Sequence, residues 1–249
     1  MANQKTFDLQ CLGNGMIYNR PWYMRKKRPE IWKSPALYPI LDLEYCSKFQ
    51  KNPRDLVNLW NANKAWIPFY QLRAKKEEIS KVKEIYKSLI EEFSEFPLIL
   101  NDYWKEALEW NCFGLHIGKE DYQALHPKEK ELVRNSSLYL GTSCHTWEDV
   151  ASLEPELWDY TGLGPIYSTD SKQTEDRPIG PNGLQDALRY AKIPIVPIGG
   201  IGPKEIGELS AYGPFLYSMI AGASDEFKFQ EVLTVFRELP HLSSKPPNV

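Results

Sequence analysis

The chain has 249 residues, 42% hydrophobic, 25% charged and 13% aromatic, which is enough for one large domain or two small ones and too apolar for disorder. Thirty Lys and Arg against 33 Asp and Glu leave a net charge of −3, so overall charge does not draw this molecule to nucleic acid. No apolar run reaches the roughly 18 residues of a membrane span, so any charged ligand must be met locally by a molecule that folds in water.

The polar start from Met1 to Thr6, with no apolar stretch after it, reads as a cytoplasmic protein without a secretory signal. Residues 1–35 form a basic extension: Lys5, Arg20, Arg25, Lys26, Lys27, Arg28 and Lys33 against Asp8 and Glu30 give a surplus of five, leaving −8 for the rest. With Trp22, Tyr23 and Trp32 in it, such an arm either touches a phosphate-bearing or acidic partner or packs across its own acidic body. The first predicted strand runs from Ala36 to Asp42, followed by a helix that opens at Pro53 and continues to Ala62. A strand from Ile67 to Arg73 precedes an amphipathic helix from Lys75 to about Phe93, with Ile79, Val82, Tyr86 and Leu89 at steps of three and four. Strands from Pro97 to Asn101 and Phe113 to Ile117 flank a short helix from Tyr103 to Trp110, and a helix broken near Pro127 runs from Tyr122 to Arg134. Strands from Leu138 to Thr142, Asp159 to Gly164, Ile193 to Ile198 and Phe215 to Met219 complete a set of eight. Their helices are His145 to Leu153, Asn182 to Ala191, Pro203 to Ala211 and Glu226 to Arg237. Several strands are continuous apolar runs, as parallel strands covered on both faces should be. Eight alternating units predict an α/β fold, a single (β/α)₈ TIM barrel over residues 36–238, followed by a loose tail at 239–249. An open sheet is the fallback, and a homo-oligomer is allowed.

In such a barrel the chemistry stands at the C-terminal ends of the strands. Gln71, Arg73 and Lys75 occupy alternate positions at the end of the second strand, and Asn101 and Asp102 end the third. Gly118, Lys119, Glu120 and Asp121 follow the fourth, Ser143 and His145 the fifth, and Thr169, Ser171 and Lys172 the sixth. A Gly199-Gly200-Ile201-Gly202 turn ends the seventh, and the eighth carries Ser218. Arg73, Lys75 and Lys172 converging on one mouth suit a diphosphate, and Asp102 with Asp121 suits Mg²⁺ bridging protein and diphosphate. The plain alternative is that each charge is solvated. Backbone N–H groups of the glycine turn can close on a phosphate. His145 is either an acid/base group or a loop cap that orients Ser143, whereas His116, inside a strand, reads as a satisfied core group. Cys11, Cys46, Cys112 and Cys144 show no paired spacing and read as free thiols; Cys144 and His145, adjacent on a strand, point apart and make a poor nucleophile and base.

The strings Gln71-Leu72-Arg73-Ala74-Lys75, Asn101-Asp102, Gly114 to Asp121, Gly141 to His145, Asp159 to Lys172 and Ile198 to Ile201 stand in one order from about Leu37 to Ser218. In that order the chain resembles the family of thiamine-phosphate synthase and its TenI-like thiazole tautomerase relatives, which are (β/α)₈ barrels. The resemblance implies a transferase of thiamine biosynthesis that joins hydroxymethylpyrimidine diphosphate to hydroxyethylthiazole phosphate. It implies that Gln71, Arg73, Lys75, Asn101 and Lys172 hold the pyrimidine diphosphate with Ser143 near the ring. Asp102 and Asp121 would hold Mg²⁺, and Thr169, Ser171, Gly200 and the Tyr217-Ser218 pair the thiazole phosphate. Catalysis would fall to Arg73, Lys172, Ser143 and His145, acting on phosphorylated small molecules, with no nucleic-acid or membrane partner. Two other readings stand beside it: a tautomerase working through His145, and a non-catalytic barrel that binds a thiamine-related phosphate. Tyr103, Lys119 and Ser168 depart from the residues usual in the family, and Tyr212-Gly213-Pro214 departs near the thiazole-phosphate pocket.

Overall fold

The computed structural model describes residues 35–169, 177–213 and 215–239. The expected basic arm and tail, and with them Ser171 and Lys172, lie outside the described residues. Eight strands form the sheet: β1 (Ala36–Asp42), β2 (Tyr70–Arg73), β3 (Leu98–Asn101), β4 (Gly114–His116), β5 (Tyr139–Cys144), β6 (Tyr160–Leu163), β7 (Ile195–Pro197) and β8 (Leu216–Met219). They pair in parallel in the order β7-β6-β5-β4-β3-β2-β1-β8, and a parallel bridge between Ile198 and Ser218 links the two ends of that series. The predicted barrel is the observed one.

The helices are α1 (Leu43–Lys48), α2 (Pro53–Ala62), α3 (Ile79–Glu92), α4 (Trp104–Glu109), α5 (Lys119–Ala124), α6 (Pro127–Arg134), α7 (Trp147–Ser152), α8 (Gly180–Tyr190), α9 (Pro203–Leu209), α10 (Ala221–Ser224) and α11 (Glu226–Glu238). Two expected boundaries shift for physical reasons. β2 starts at Tyr70 rather than Ile67 because Pro68 has no N–H to give to a ladder. α3 starts at Ile79 rather than Lys75; Lys75 and Lys76 are instead held in the loop by Asp102 and Glu44. Two short helices, α1 and α10, were not expected. The first is started by Asp42, whose side chain accepts the Tyr45 N–H at 2.8 Å.

Alternation along the strands sorts the core into two layers. Inside the ring, Tyr38, Phe69, Ile99, Phe113, Tyr139, Tyr160, Val196 and Leu216 form one buried cluster. Outside it, residues such as Leu37, Leu41, Tyr70, Leu72, Leu100, Leu115 and Tyr217 pack with helix residues including Val82, Leu184, Leu209 and Phe236. The interior is rich in aromatic rings, and Gly141 on β5 makes room for one of them: a Cβ there would lie 2.0 Å from the Tyr160 ring.

Candidate functional site

The C-terminal ends of β1, β2 and β3 carry a charged cluster. Arg73 is ion-paired with Asp42, whose side chain is only 4% exposed, and Lys75 is ion-paired with Asp102. The Asp102 backbone stands in the left-handed region at φ 66°, pinned by its N–H donating to the His116 carbonyl at 2.8 Å. Asn101 is buried beside it, and its Nδ2 group finds no hydrogen-bond acceptor among the described residues. A buried amide donor without a partner is costly, so a ligand acceptor there gains more than on an open surface. Gln71, also buried, turns into the ring and donates from Nε2 to the Tyr38 hydroxyl at 2.7 Å.

Asp121 stands in the first turn of α5, exposed, with its carboxylate folded back on Gly118. It does not join the Lys75–Asp102 pair. Among the described residues no group of three or more His, Cys, Asp or Glu gathers as a protein-only metal cage. Mg²⁺ seldom needs one, since it is usually held by one or two carboxylates together with substrate phosphates. Asp102 and Asp121 have the oxygen chemistry that such a shared Mg²⁺ takes, and the first of them is now paired with Lys75.

Across the mouth, the ends of β5 to β8 enclose a cleft of about 400 Å³. It brings together Ser143, His145, Thr169, Gly200 and Ser218, five of the expected site residues from four strand ends. Gly199 and Gly200 have φ of 94° and 64°, and a Cβ on Gly200 would lie 2.4 Å from the Ser168 carbonyl oxygen, so this turn needs glycine. The Gly202 N–H is taken by Glu205 at 3.0 Å, which leaves the N–H groups of Gly200 and Ile201 unused by any described residue. Ser218 is 3% exposed and its Oγ finds no partner among the described residues, a second such polar group at the mouth.

His145 sits on the cleft wall with Nδ1 2.7 Å from the Gly164 carbonyl. A carbonyl can only accept, so the neutral ring carries its proton on Nδ1 and keeps the lone pair on Nε2. His116 is bonded on both sides, to the Tyr160 hydroxyl at 3.1 Å and to Ser143 Oγ at 2.9 Å, and is thus satisfied, though through a site residue. Cys144 faces away from His145, and burial pushes its thiol up to about 11, so the two form no nucleophile and base.

Of the expected Tyr217-Ser218 pair, only Ser218 lines the cleft with its side chain. On β8, Leu216 joins the interior cluster and Tyr217 the outer one, where its ring stacks on Phe236 of α11 at 5.9 Å. That ring lies behind the barrel wall, away from the cleft. Asp42, Tyr38 and Tyr160 are contacts of the site that the sequence pattern left unmarked. Asp42 carried a usable sign, since it ends a strand as the other site residues do. Lys119, where the family usually has Gln, is ion-paired with Asp149. Burial raises the Asp149 carboxyl, but the Lys119 ammonium and the His145 and Thr146 N–H groups outweigh it and hold it below its ordinary value.

A family model described as thiamine monophosphate synthase matches residues 37–223. Thiamine-phosphate synthase of Lactococcus lactis subsp. cremoris is 33% identical over 157 residues, 60% of this chain and 70% of that protein. The thiamine-phosphate synthase of Methanococcus maripaludis is 30% identical over 199 residues, 78% of this chain and 90% of the relative. The solved structure of thiamine phosphate pyrophosphorylase from Pyrococcus furiosus superposes with a TM-score of 0.65 at 26% identity, covering 86% of this chain and 100% of that one. A geranylgeranylglyceryl phosphate synthase from Thermoplasma acidophilum, with a TM-score of 0.60 at 10% identity, shares the fold alone.

Proposed function

The chain belongs to the thiamine monophosphate synthase family of transferases, and from that footing we propose that it joins hydroxymethylpyrimidine diphosphate to hydroxyethylthiazole phosphate, giving thiamine phosphate and free diphosphate. The observation that carries this reading is a pair of buried polar groups at the strand ends that have no partner among the described residues, Asn101 Nδ2 and Ser218 Oγ. Each is a hydrogen-bonding group awaiting a ligand atom, one beside the charged cluster and one in the glycine-walled cleft.

The charged side takes the diphosphate. Arg73 and Lys75 supply positive charge, joined by Lys172, which follows β6 in the sequence, and Asn101 donates to a phosphoryl oxygen. Asp102 and Asp121 would hold Mg²⁺, which neutralises diphosphate oxygens when bound. Gln71 and Ser143 hold the pyrimidine between the two sides. Thr169, Ser171, Ser218 and the N–H groups at Gly200 and Ile201 take the thiazole phosphate.

The chemistry asks for no protein nucleophile. The bond between the pyrimidine's methylene carbon and the diphosphate oxygen breaks, with both electrons leaving on diphosphate. The cation left behind is spread over the amino-substituted ring, and the thiazole nitrogen lone pair closes the new C–N bond. The protein stabilises the charge developing on the leaving group and holds the two partners in line. His145, with its lone pair on Nε2, lines the thiazole side and fixes the loop through Gly164.

The test supplies the purified protein with both substrates and Mg²⁺ and follows thiamine phosphate and diphosphate together. Equal amounts of the two are expected. Bound ligands with no product at high enzyme concentration would overturn the proposal in favour of a binding barrel.

A further inference from the structure

Beneath the mouth, five side chains from five strands form one unbroken hydrogen-bonded series. Gln71 Nε2 on β2 donates to the Tyr38 hydroxyl on β1 at 2.7 Å, and that hydroxyl lies 2.8 Å from the Tyr160 hydroxyl on β6. The Tyr160 hydroxyl is 3.1 Å from Nδ1 of His116 on β4, and His116 Nε2 is 2.9 Å from Ser143 Oγ on β5. The series begins and ends on residues that the proposed function places at the pyrimidine.

Its direction follows from counting protons. A hydroxyl has one proton to give. Tyr38 accepts from Gln71, and its other hydrogen-bond partner among the described residues is Tyr160, so its own proton goes there; left unused inside the ring, a buried donor costs about 1–3 kcal/mol. Tyr160 in turn has its own proton to give, and the acceptor it meets along the series is His116 Nδ1. The neutral imidazole then carries its proton on Nε2 and donates to Ser143 Oγ. Ser143 is left with its hydroxyl proton to donate outward, and Gln71 with Oε1 to accept.

We infer that Tyr38, Tyr160 and His116 are positioning residues that fix Gln71 as an acceptor and Ser143 as a donor toward the aminopyrimidine of the proposed substrate. An aminopyrimidine offers an amino group that donates and ring nitrogens that accept, so the two ends match it in opposite senses. Because the groups are in series, reversing one end requires reversing the other. Burial holds both tyrosine hydroxyls well above their ordinary range, so neither loses its proton near neutrality and the series keeps its sense. Gly141 belongs to the same device, since any side chain there would displace the Tyr160 ring.

The inference rests on the proposed function, and two measurements separate them. The first needs no substrate and no variant: the ¹⁵N shifts of the His116 ring in the resting protein should show a protonated Nε2 and an unprotonated Nδ1. The opposite tautomer would overturn the proposed direction. The second is calorimetric binding of the pyrimidine diphosphate and of inorganic diphosphate alone. Tyr38→Phe and Tyr160→Phe keep the packed rings and each break the series, so each should weaken the pyrimidine diphosphate by about tenfold while leaving diphosphate unchanged. The double variant should bind no more weakly than the worse single one, because one break already opens the series. Phe variants that bind like the unmodified chain sink the positioning role and leave the function standing. An unmodified chain that binds pyrimidine diphosphate no better than diphosphate sinks the function, and the positioning role with it.

Discussion

Asp42→Asn tests whether the buried ion pair with Arg73 is a structural support of the diphosphate side. The Asp42 side chain is 4% exposed and that of Arg73 16%. Asparagine keeps an oxygen to accept the Tyr45 N–H, so the cap of α1 survives and only the charge is removed. Removing one member of a buried pair costs about 3–5 kcal/mol, because the other charge stays behind without compensation. Arg73 keeps some contact with water, so the loss should fall just below that range, about 2–3 kcal/mol. Asp42→Ala should lose about 1 kcal/mol more, since the helix cap goes too. Urea unfolding measures both as a lower midpoint at unchanged slope. Added diphosphate should stabilise Asp42→Asn more than the unmodified chain, because the freed guanidinium finds a new counter-charge. A shift below about 0.5 kcal/mol, or equal stabilisation of both proteins by diphosphate, would refute the reasoning, since such a loss is what an ordinary surface change gives.

Tyr217→Phe removes a hydroxyl that is buried without a partner behind the barrel wall, so stability should stay level or rise by up to about 1 kcal/mol, with no change in KM for the thiazole phosphate; a raised KM would place that ring back in the site. Asn101→Ala and Ser218→Ala also remove unsatisfied groups, so ligand-free melting points should hold steady while affinity for the pyrimidine diphosphate falls in the first and for the thiazole phosphate in the second. Asp102→Asn keeps a residue type that tolerates the left-handed backbone and loses a half-exposed ion pair worth under about 1 kcal/mol, so turnover should drop and the Mg²⁺ needed for half-maximal rate should rise with little change in melting. Burial pushes the thiols of Cys46 and Cys112 up to about 12 and that of Cys144 to about 11, so near pH 8 all three stay protonated in the folded chain; mass spectrometry after alkylation should find them modified only once it unfolds.

The barrel is legible in the sequence because parallel strands covered on both faces leave short apolar runs, and each run here ends in polar residues that the closed ring gathers at one mouth. The boundaries that moved did so where a single residue outweighs a pattern: Pro68 shortens β2, and the Lys75–Asp102 pair holds back the start of α3. Strand alternation sends the Tyr217 ring outward and the Ser218 side chain to the cleft, so only one side chain of that pair can line it. The Asp42–Arg73 pair spans 31 residues of sequence and becomes visible only once β1 lies beside β2 with Asp42 opposite Arg73. The interior series is the hardest part to read. Tyr38 and Tyr160 lie 122 residues apart and count as apolar rings in any periodicity; their hydroxyls meet only when the ring closes. A strand interior filled with tyrosine instead of leucine is therefore a place to look for polar order that hydropathy hides, since each such hydroxyl must find a partner or leave a buried group unsatisfied.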